Sequence, residues 1–304
     1  MKQLGLNGFS LKNKGSAVRF CLWPRMNTVR TIKNSTKVKS IINLIVNSFL
    51  YMNDLLIISI IGVRYIFSNK NNYKPFTVLT AADSSHFISL QQLLRSAYKN
   101  LKNTDVIFYN LGLKNYQLDK LNIEFPNLKV KEFNYHEYPD YFDINLNAGE
   151  YAWKPVIIYK EVLQNEASIL WMDAGNIITN NMNLFKIYIH HFGFYSPYSS
   201  DNIQKWTHQS TLKYYNFDKK MLHKRNLNGA LIGINKNLPA VLNLSKSMND
   251  NALKKDVIAP EGSSRKNHRQ DQALLTLEFY QKLNFKFFLK TNKIFGVKIQ
   301  QDID

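Results

Sequence analysis

Two carboxylates in this chain stand where chemistry could be done. Leu170-Trp171-Met172 runs straight into Asp173, and small or turn-forming residues follow at once: Ala174, Gly175 and Asn176. A strand that ends this way delivers a carboxylate to the rim of a sheet, and in open α/β sheets ligands collect at the carboxyl ends of strands. Asp271 closes the polar run Gly262-Ser263-Ser264-Arg265-Lys266-Asn267-His268-Arg269-Gln270 and opens an amphipathic stretch carrying Ala273, Leu274 and Leu277. With three cations just before Asp271, the pair points to a site for a phosphorylated, metal-bound substrate.

Other residues join this list on local grounds. Lys154 lies between Trp153 and Pro155 at a helix start, where free N–H groups and a cation can face phosphate. Asp83 follows an apolar strand and suits a base or ribose contact. Gly262-Ser263-Ser264 with Arg265 and Lys266 has the flexibility and charge of a lid over a diphosphate. Each also has an ordinary reading. Asp173 can be a turn acid, Asp83 and Asp271 helix caps, His268 a solvated loop histidine, and the basic loop an inert surface.

The elements that must position these residues alternate between strand and helix. Phe76 to Ala81 reads as a buried strand, and Phe87, Leu90, Leu93, Leu94, Ala97, Tyr98 and Leu101 form the apolar face of a helix. Val106 to Tyr109 is a second strand, Tyr116 to Ile123 a short helix, and Leu128 to Phe133 a half-exposed third strand. Tyr151 to Leu163 follows as helix, with Pro155 in its first turn. Ser168 to Met172 is then the strand that presents Asp173. Asn228 to Ile234 reads as a strand whose Gly229 and Gly233 mark close backbone approach. Leu238 to Met248 and Asp271 to Lys282 read as helices, and Phe285 to Leu289 as a last strand. This β-α-β-α-β order predicts a largely parallel, Rossmann-like sheet flanked by helices.

Five segments, in order, resemble the nucleotide-diphospho-sugar transferases of the GT-A fold. They are Thr80-Ala81-Ala82-Asp83, Ala152-Trp153-Lys154-Pro155, Leu170 to Gly175, Asn228 to Gly233, and His268-Arg269-Gln270-Asp271-Gln272. The similarity spans about residues 75–290, and the group it is nearest to is poorly characterised. The resemblance implies a glycosyltransferase that moves a sugar from a nucleotide-sugar donor to a glycan, lipid-linked or protein acceptor, with a divalent metal, Mn²⁺ or Mg²⁺, on the diphosphate. It implies donor contacts from Thr80, Ala81, Asp83, Lys154, Asn176, Arg265, Lys266 and Arg269. Asp173 and Asp271 would be catalytic, Asp271 as acceptor base or substrate-binding carboxylate. The family's Asp-x-Asp signature is incomplete here, because Gly175 stands where the second acid would. Asp173 would then share the metal with His268 or Asp271, or fixed cations would neutralise the diphosphate instead. A non-catalytic sugar- or nucleotide-binding relative is the alternative.

Composition bounds the rest. The apolar and aromatic fractions, 45% and 13%, are those of a packed protein rather than a disordered one. The single cysteine, Cys21, excludes an internal disulfide framework and points to a reducing compartment. The net charge of +18 is uneven: residues 1–74 hold twelve Lys and Arg against one acid, Asp54, which is +11 of it. Such a field attracts lipid headgroups, nucleotide phosphates or nucleic acid, although no nucleic-acid motif is present. Residues 1–35 read as a basic, poorly ordered extension, 36–70 as an apolar helical segment, and 75–304 as the transferase-like domain. Within the apolar run, Asn43, Asn47 and Asp54 fall on one helical stripe, and basic residues flank the run. That predicts a helix lying on an anionic membrane at the cytoplasmic face through residues 36–67. A helix packed on the body, or a single membrane span, are the other readings.

Overall fold

The structure is a computed structural model that describes residues 48, 52–63, 75–283 and 295–303. These residues all belong to one compact unit, 47–304. The extension at 1–35, most of the segment 36–70, and the strand expected at Phe285 to Leu289 lie outside the described residues.

The chain builds β1 (Phe76–Ala82), α2 (Phe87–Asn100), β2 (Val106–Asn110), α3 (Asn115–Glu124) and β3 (Lys129–Glu132), after a helix α1 at 52–63. It continues through α4 (Trp153–Gln164), β4 (Ser168–Met172), β5 (Ile177–Ile178), α5 (Asn183–Phe192), β6 (Phe194–Tyr195) and β7 (Tyr198–Asn202). Then come α6 (Ile203–Trp206), α7 (Gln209–Tyr214), β8 (Arg225–Leu227), β9 (Leu231–Ile234), α8 (Pro239–Ala252), α9 (Lys255–Ile258), α10 (Gln270–Lys282) and β10 (Val297–Lys298). The main sheet has the order β3-β2-β1-β4-β9-β6. Its first four strands run parallel, and β9 is antiparallel to both β4 and β6. The expected α/β architecture, a mostly parallel sheet flanked by helices, is therefore present.

Every residue of β1 is buried, as a central strand covered on both faces must be. Alternation divides its side chains between two cores. Leu79 and Ala81 join Tyr109, Trp171 and α4, α8 and α10 on one side, while Val78 and Ala82 join Phe108, Leu170 and Met172 with α2 and α5 on the other. From β1 the chain winds outward through β2 to β3, then returns to place β4 on the opposite side. The carboxyl ends of β1 and β4 thus form the point where strand order reverses, and Asp83 and Asp173 follow those two strands. Antiparallel pairing of Met172 with Leu231 brings Asn228-Gly229-Ala230 beside the end of β4. Gly233 is a point of close approach, as the sequence implied: a Cβ there would stand 2.9 Å from the Phe185 ring.

Helix α1 corrects the membrane reading in one respect. Asp54 is not on an outward polar stripe but fully buried, on the same stripe as Ile57 and Ile61, which join the α2–α5 core. Burial, then Tyr188 and Asp54, hold the Tyr195 phenol protonated, so Asp54 faces the body. Met52, Leu55, Leu56, Ile60 and Val63 are exposed. Spacings of three and four turn 54, 57 and 61 inward together, and the remaining apolar residues must then face out. Among the described residues no helix is long and apolar enough to cross a membrane. Ile61→Ala is expected to cost about 2–5 kcal/mol in a denaturant titration, from lost burial plus the cavity. Ile60→Ala should stay within about 0.5 kcal/mol; equal costs would show that α1 does not dock by this face.

Candidate functional site

Asp173 follows β4, Asp271 and Lys154 come from α10 and α4, and one ammonium joins the two acids. Lys154 Nζ lies 2.9 Å from Asp173 Oδ1 and 2.9 Å from Asp271 Oδ2. It also donates to the Gly229 carbonyl at 3.4 Å. The Lys154 side chain is 5% exposed, that of Asp271 10% and that of Asp173 37%, so the cluster opens to solvent at Asp173. The Tyr151, Trp153 and Trp171 rings stand 5.5–6.0 Å from the ammonium and add cation–π attraction. Trp171 Nε1 donates to Asp173 Oδ1 at 2.8 Å, which fixes the carboxylate's rotation.

Charge balance sets the proton affinities. Burial disfavours the Lys154 ammonium, but the two carboxylates outweigh it and keep the group charged. Burial also holds the Asp271 carboxyl above its ordinary range, Lys154 offsetting this only in part and Asp173 adding to it. A buried cluster of one cation and two acids carries net negative charge, and its deeper acid keeps a proton more readily.

Strained backbone surrounds the site. Asn147, Ala148, Gly149, Glu150 and Tyr151 are all left-handed, and this turn feeds directly into α4. Each non-glycine residue there costs on the order of 1 kcal/mol. Trp153 Nε1 braces the turn by donating to the Ala148 carbonyl at 3.0 Å. Gln270, just before Asp271, also has positive φ (26°), and its side chain donates to Glu150 at 3.3 Å. Gly229 is the other close approach read from sequence, since a Cβ there would come within 3.0 Å of Asp271 Oδ2.

Most of the other expected site residues have partners of their own. Thr80 and Ala81 are buried within β1. Asp83 reaches the rim but pairs with His86 at 2.6 Å and accepts from Ser85 at 2.8 Å, and these partners keep its pKa low against the opposing effect of burial. Asn176 is fully buried and ties β4 to its neighbours, donating to the Ala230 carbonyl at 2.6 Å and accepting from Gln300 N–H at 3.4 Å. His268 is corrected as a metal ligand. Its Nδ1 accepts the His208 N–H at 3.1 Å and its Nε2 donates to the Ile258 carbonyl at 2.9 Å, so no ring lone pair remains. Burial takes its pKa down to about 4. Lys154 is matched by two carboxylates rather than held for phosphate. Arg269 stacks on Trp206 at 4.1 Å, and Arg265 lies over the Tyr151 ring and donates to its hydroxyl. Lys266 is exposed on a loop held by its own bonds, among them Ser264 N–H to Asn267 Oδ1 at 2.7 Å and His268 N–H to the Ser264 carbonyl at 2.8 Å.

Among the described residues no three His, Cys, Asp or Glu side chains converge to hold a metal. A cation held mainly by substrate phosphates needs only one or two protein carboxylates. Asp173 fits as one: its contacts with Lys154 and Trp171 both use Oδ1, and no described residue bonds Oδ2. An open cavity of about 400 Å³ lies elsewhere, between α8 and α10, lined by solvated residues such as Lys246 and Asp250.

Lys154→Met should leave two acids sharing a partly buried site. With the Lys154 contribution gone, burial would raise the Asp271 proton affinity further, the folded state would bind more protons than the unfolded, and stability would fall as pH rises through the carboxylate range. The expected loss at pH 7.5 is on the order of 3 kcal/mol, largely recovered near pH 4.5 in urea titrations. A variant as stable as the parent at pH 7.5 would show that the ammonium does not hold the pair.

By sequence, residues 48–159 match the model of a family described as a protein of unknown function, DUF1647. No curated protein matches. Among solved structures, the chain is similar to the apo WbbM bifunctional glycosyltransferase, at 12% identity and TM-score 0.43 over 69% of this chain. It spans 38% of the WbbM chain. It is also similar to core-mannan synthase A from Aspergillus fumigatus in its Mn/GDP form, at 9% identity and TM-score 0.46, over 73% of this chain and 72% of that one. The galactosyltransferase LgtC, in complex with donor and acceptor sugar analogs, matches at 12% identity and TM-score 0.42, over 71% and 73%. At these identities the reaction, donor and acceptor are left to the site's own residues.

Proposed function

We propose that this chain is a glycosyltransferase that moves a sugar from a nucleotide-diphospho-sugar to a glycan, lipid-linked or protein acceptor. The observation that carries the reading is the Lys154 bridge, which brings Asp173 and Asp271 together at the strand-order reversal. Asp173, the more exposed of the two, stands on the donor side, its rotation set by Trp171 and Lys154. Asp271, with its raised proton affinity, is suited to accept the proton of an acceptor hydroxyl. Lys154 holds the two carboxylates at a fixed separation and limits their repulsion. Arg265 and Arg269, stacked on Tyr151 and Trp206, supply preorganised positive charge near the start of α10. A divalent ion, where bound, would further neutralise the leaving diphosphate, with Asp173 among its holders.

Release or transfer of sugar should be measured across a nucleotide-sugar panel, with Mn²⁺ and with a chelator. Asp173→Ala should lose at least about a hundredfold in turnover, and the acid limb of the pH profile should lie above the ordinary Asp value of about 4. Full activity in that variant would remove Asp173 from the mechanism. The missing acid at Gly175 and the already matched charge of Lys154 favour a second reading, a binding protein of the same fold. Nucleoside-diphosphate binding by calorimetry without turnover of any donor would select it.

We also propose that the exposed face of α1 rests on an anionic membrane surface. Five apolar side chains point outward there, and the sequence around the helix places Lys37, Lys39, Arg64, Lys70 and Lys74 against a single acid, the buried Asp54. The full chain should co-sediment with phosphatidylserine vesicles in low salt and be released by Leu56→Glu with Ile60→Glu. Both substituted residues are exposed, so folding should survive. Undiminished binding by the double variant would move the contact elsewhere.

A further inference from the structure

The last described segment passes directly over the turn after β4. β10 pairs antiparallel with β5, Val297 opposite Ile178 and Lys298 opposite Ile177. Gln300 N–H then donates to Asn176 Oδ1 at 3.4 Å and Gln301 N–H to the Gly175 carbonyl at 2.6 Å. The Gln301 carbonyl accepts from Gln92, and Ile303 N–H donates to Ser89 at 3.0 Å. Bonds on both sides thus fix residue 302 against residue 175. A Cβ built on Gly175 would overlap the Asp302 carboxylate, with Cγ and both Oδ atoms its nearest neighbours. The volume a side chain at 175 would fill is already filled, and by a carboxylate.

We infer that Asp302 supplies the second carboxylate that Asp173-Ala174-Gly175 lacks, and that Asp173 and Asp302 together hold a divalent cation bridged to the donor's diphosphate. This rests on the transferase reading and extends it. Two carboxylates with phosphate oxygens and water form a sufficient oxygen shell for Mg²⁺ or Mn²⁺. Gly175 is then required because an acid at that position would collide with the one the chain's far end provides. No buried histidine is needed in this arrangement, which agrees with both His268 nitrogens being bonded to main chain.

The test uses the full chain, with Mn²⁺ alone and with UDP, GDP, ADP and CDP, read by calorimetry and by Mn²⁺ spin resonance. Asp302→Asn keeps the shape and should weaken Mn²⁺-dependent nucleotide binding by at least about tenfold, with the unfolding midpoint little changed. Moving the acid, Gly175→Asp with Asp302→Gly, should recover most of that loss, which a merely structural role for Asp302 would not produce. Parental affinity in Asp302→Asn overturns the inference. Nucleotide binding that is equal with Mn²⁺ and with chelator also overturns it, while leaving the transferase reading intact. If no nucleotide binds under either condition, both fall together.

Discussion

A single ammonium, Lys154 Nζ, stands 2.9 Å from carboxylates delivered by two separate elements, and the arrangement of the site follows from it. Two acids sharing one partner in a partly dry environment would repel, and burial already favours the neutral form of the enclosed one, Asp271. The buried cation lets both stay in place, one open to solvent and one enclosed. It also couples three elements that are distant in the chain: the start of α4, the end of β4 and the start of α10. Loss of any one of these contacts leaves an uncompensated charge at the junction of the others.

The backbone around the cluster is organised to the same end. The left-handed run Asn147–Tyr151 swings the chain into α4 so that Trp153 and Lys154 enter the sheet's carboxyl rim together. Gly229 gives Asp271 room, and Trp171 turns the Asp173 carboxylate. Unfavourable dihedrals at Ala148, Glu150, Tyr151 and Gln270 persist because packing and hydrogen bonds over-determine them, a pattern typical of functional sites. The cost is local, and the two large apolar cores flanking the sheet can sustain it.

Two further segments pack against the sheet that carries the candidate site. On the α2–α5 side, α1 closes the core with Ile57 and Ile61 and turns its other apolar residues outward. Across the end of β4, the segment after β10 lays Asp302 against Gly175. Both features come from residues outside the strand-helix repeat, at its two ends.

Much of this was readable in the amino-acid order. β4 is visible because an apolar run of strand length ends on an acid and a turn, and β1 because burial on both faces requires continuous apolar residues. α2 and α10 show their helical period, and Gly229 and Gly233 announce close approach. The partners of polar residues were not readable. Burial of Asp54, Asn176 and His268 cannot be inferred from local pattern, since a buried polar group is determined by whichever distant backbone satisfies it. The neighbours of Lys154 suggest a helix start and hence a cation for phosphate, yet two acids further along the chain claim its charge. The alternation of strands and helices, and the place where a carboxylate reaches the rim, follow from residue order alone, because periodicity and turn chemistry are local. Which charges meet, and which side chain fills the space at Gly175, emerge with the folded chain, because electrostatic pairing and steric exclusion act through space between residues the chain order keeps apart.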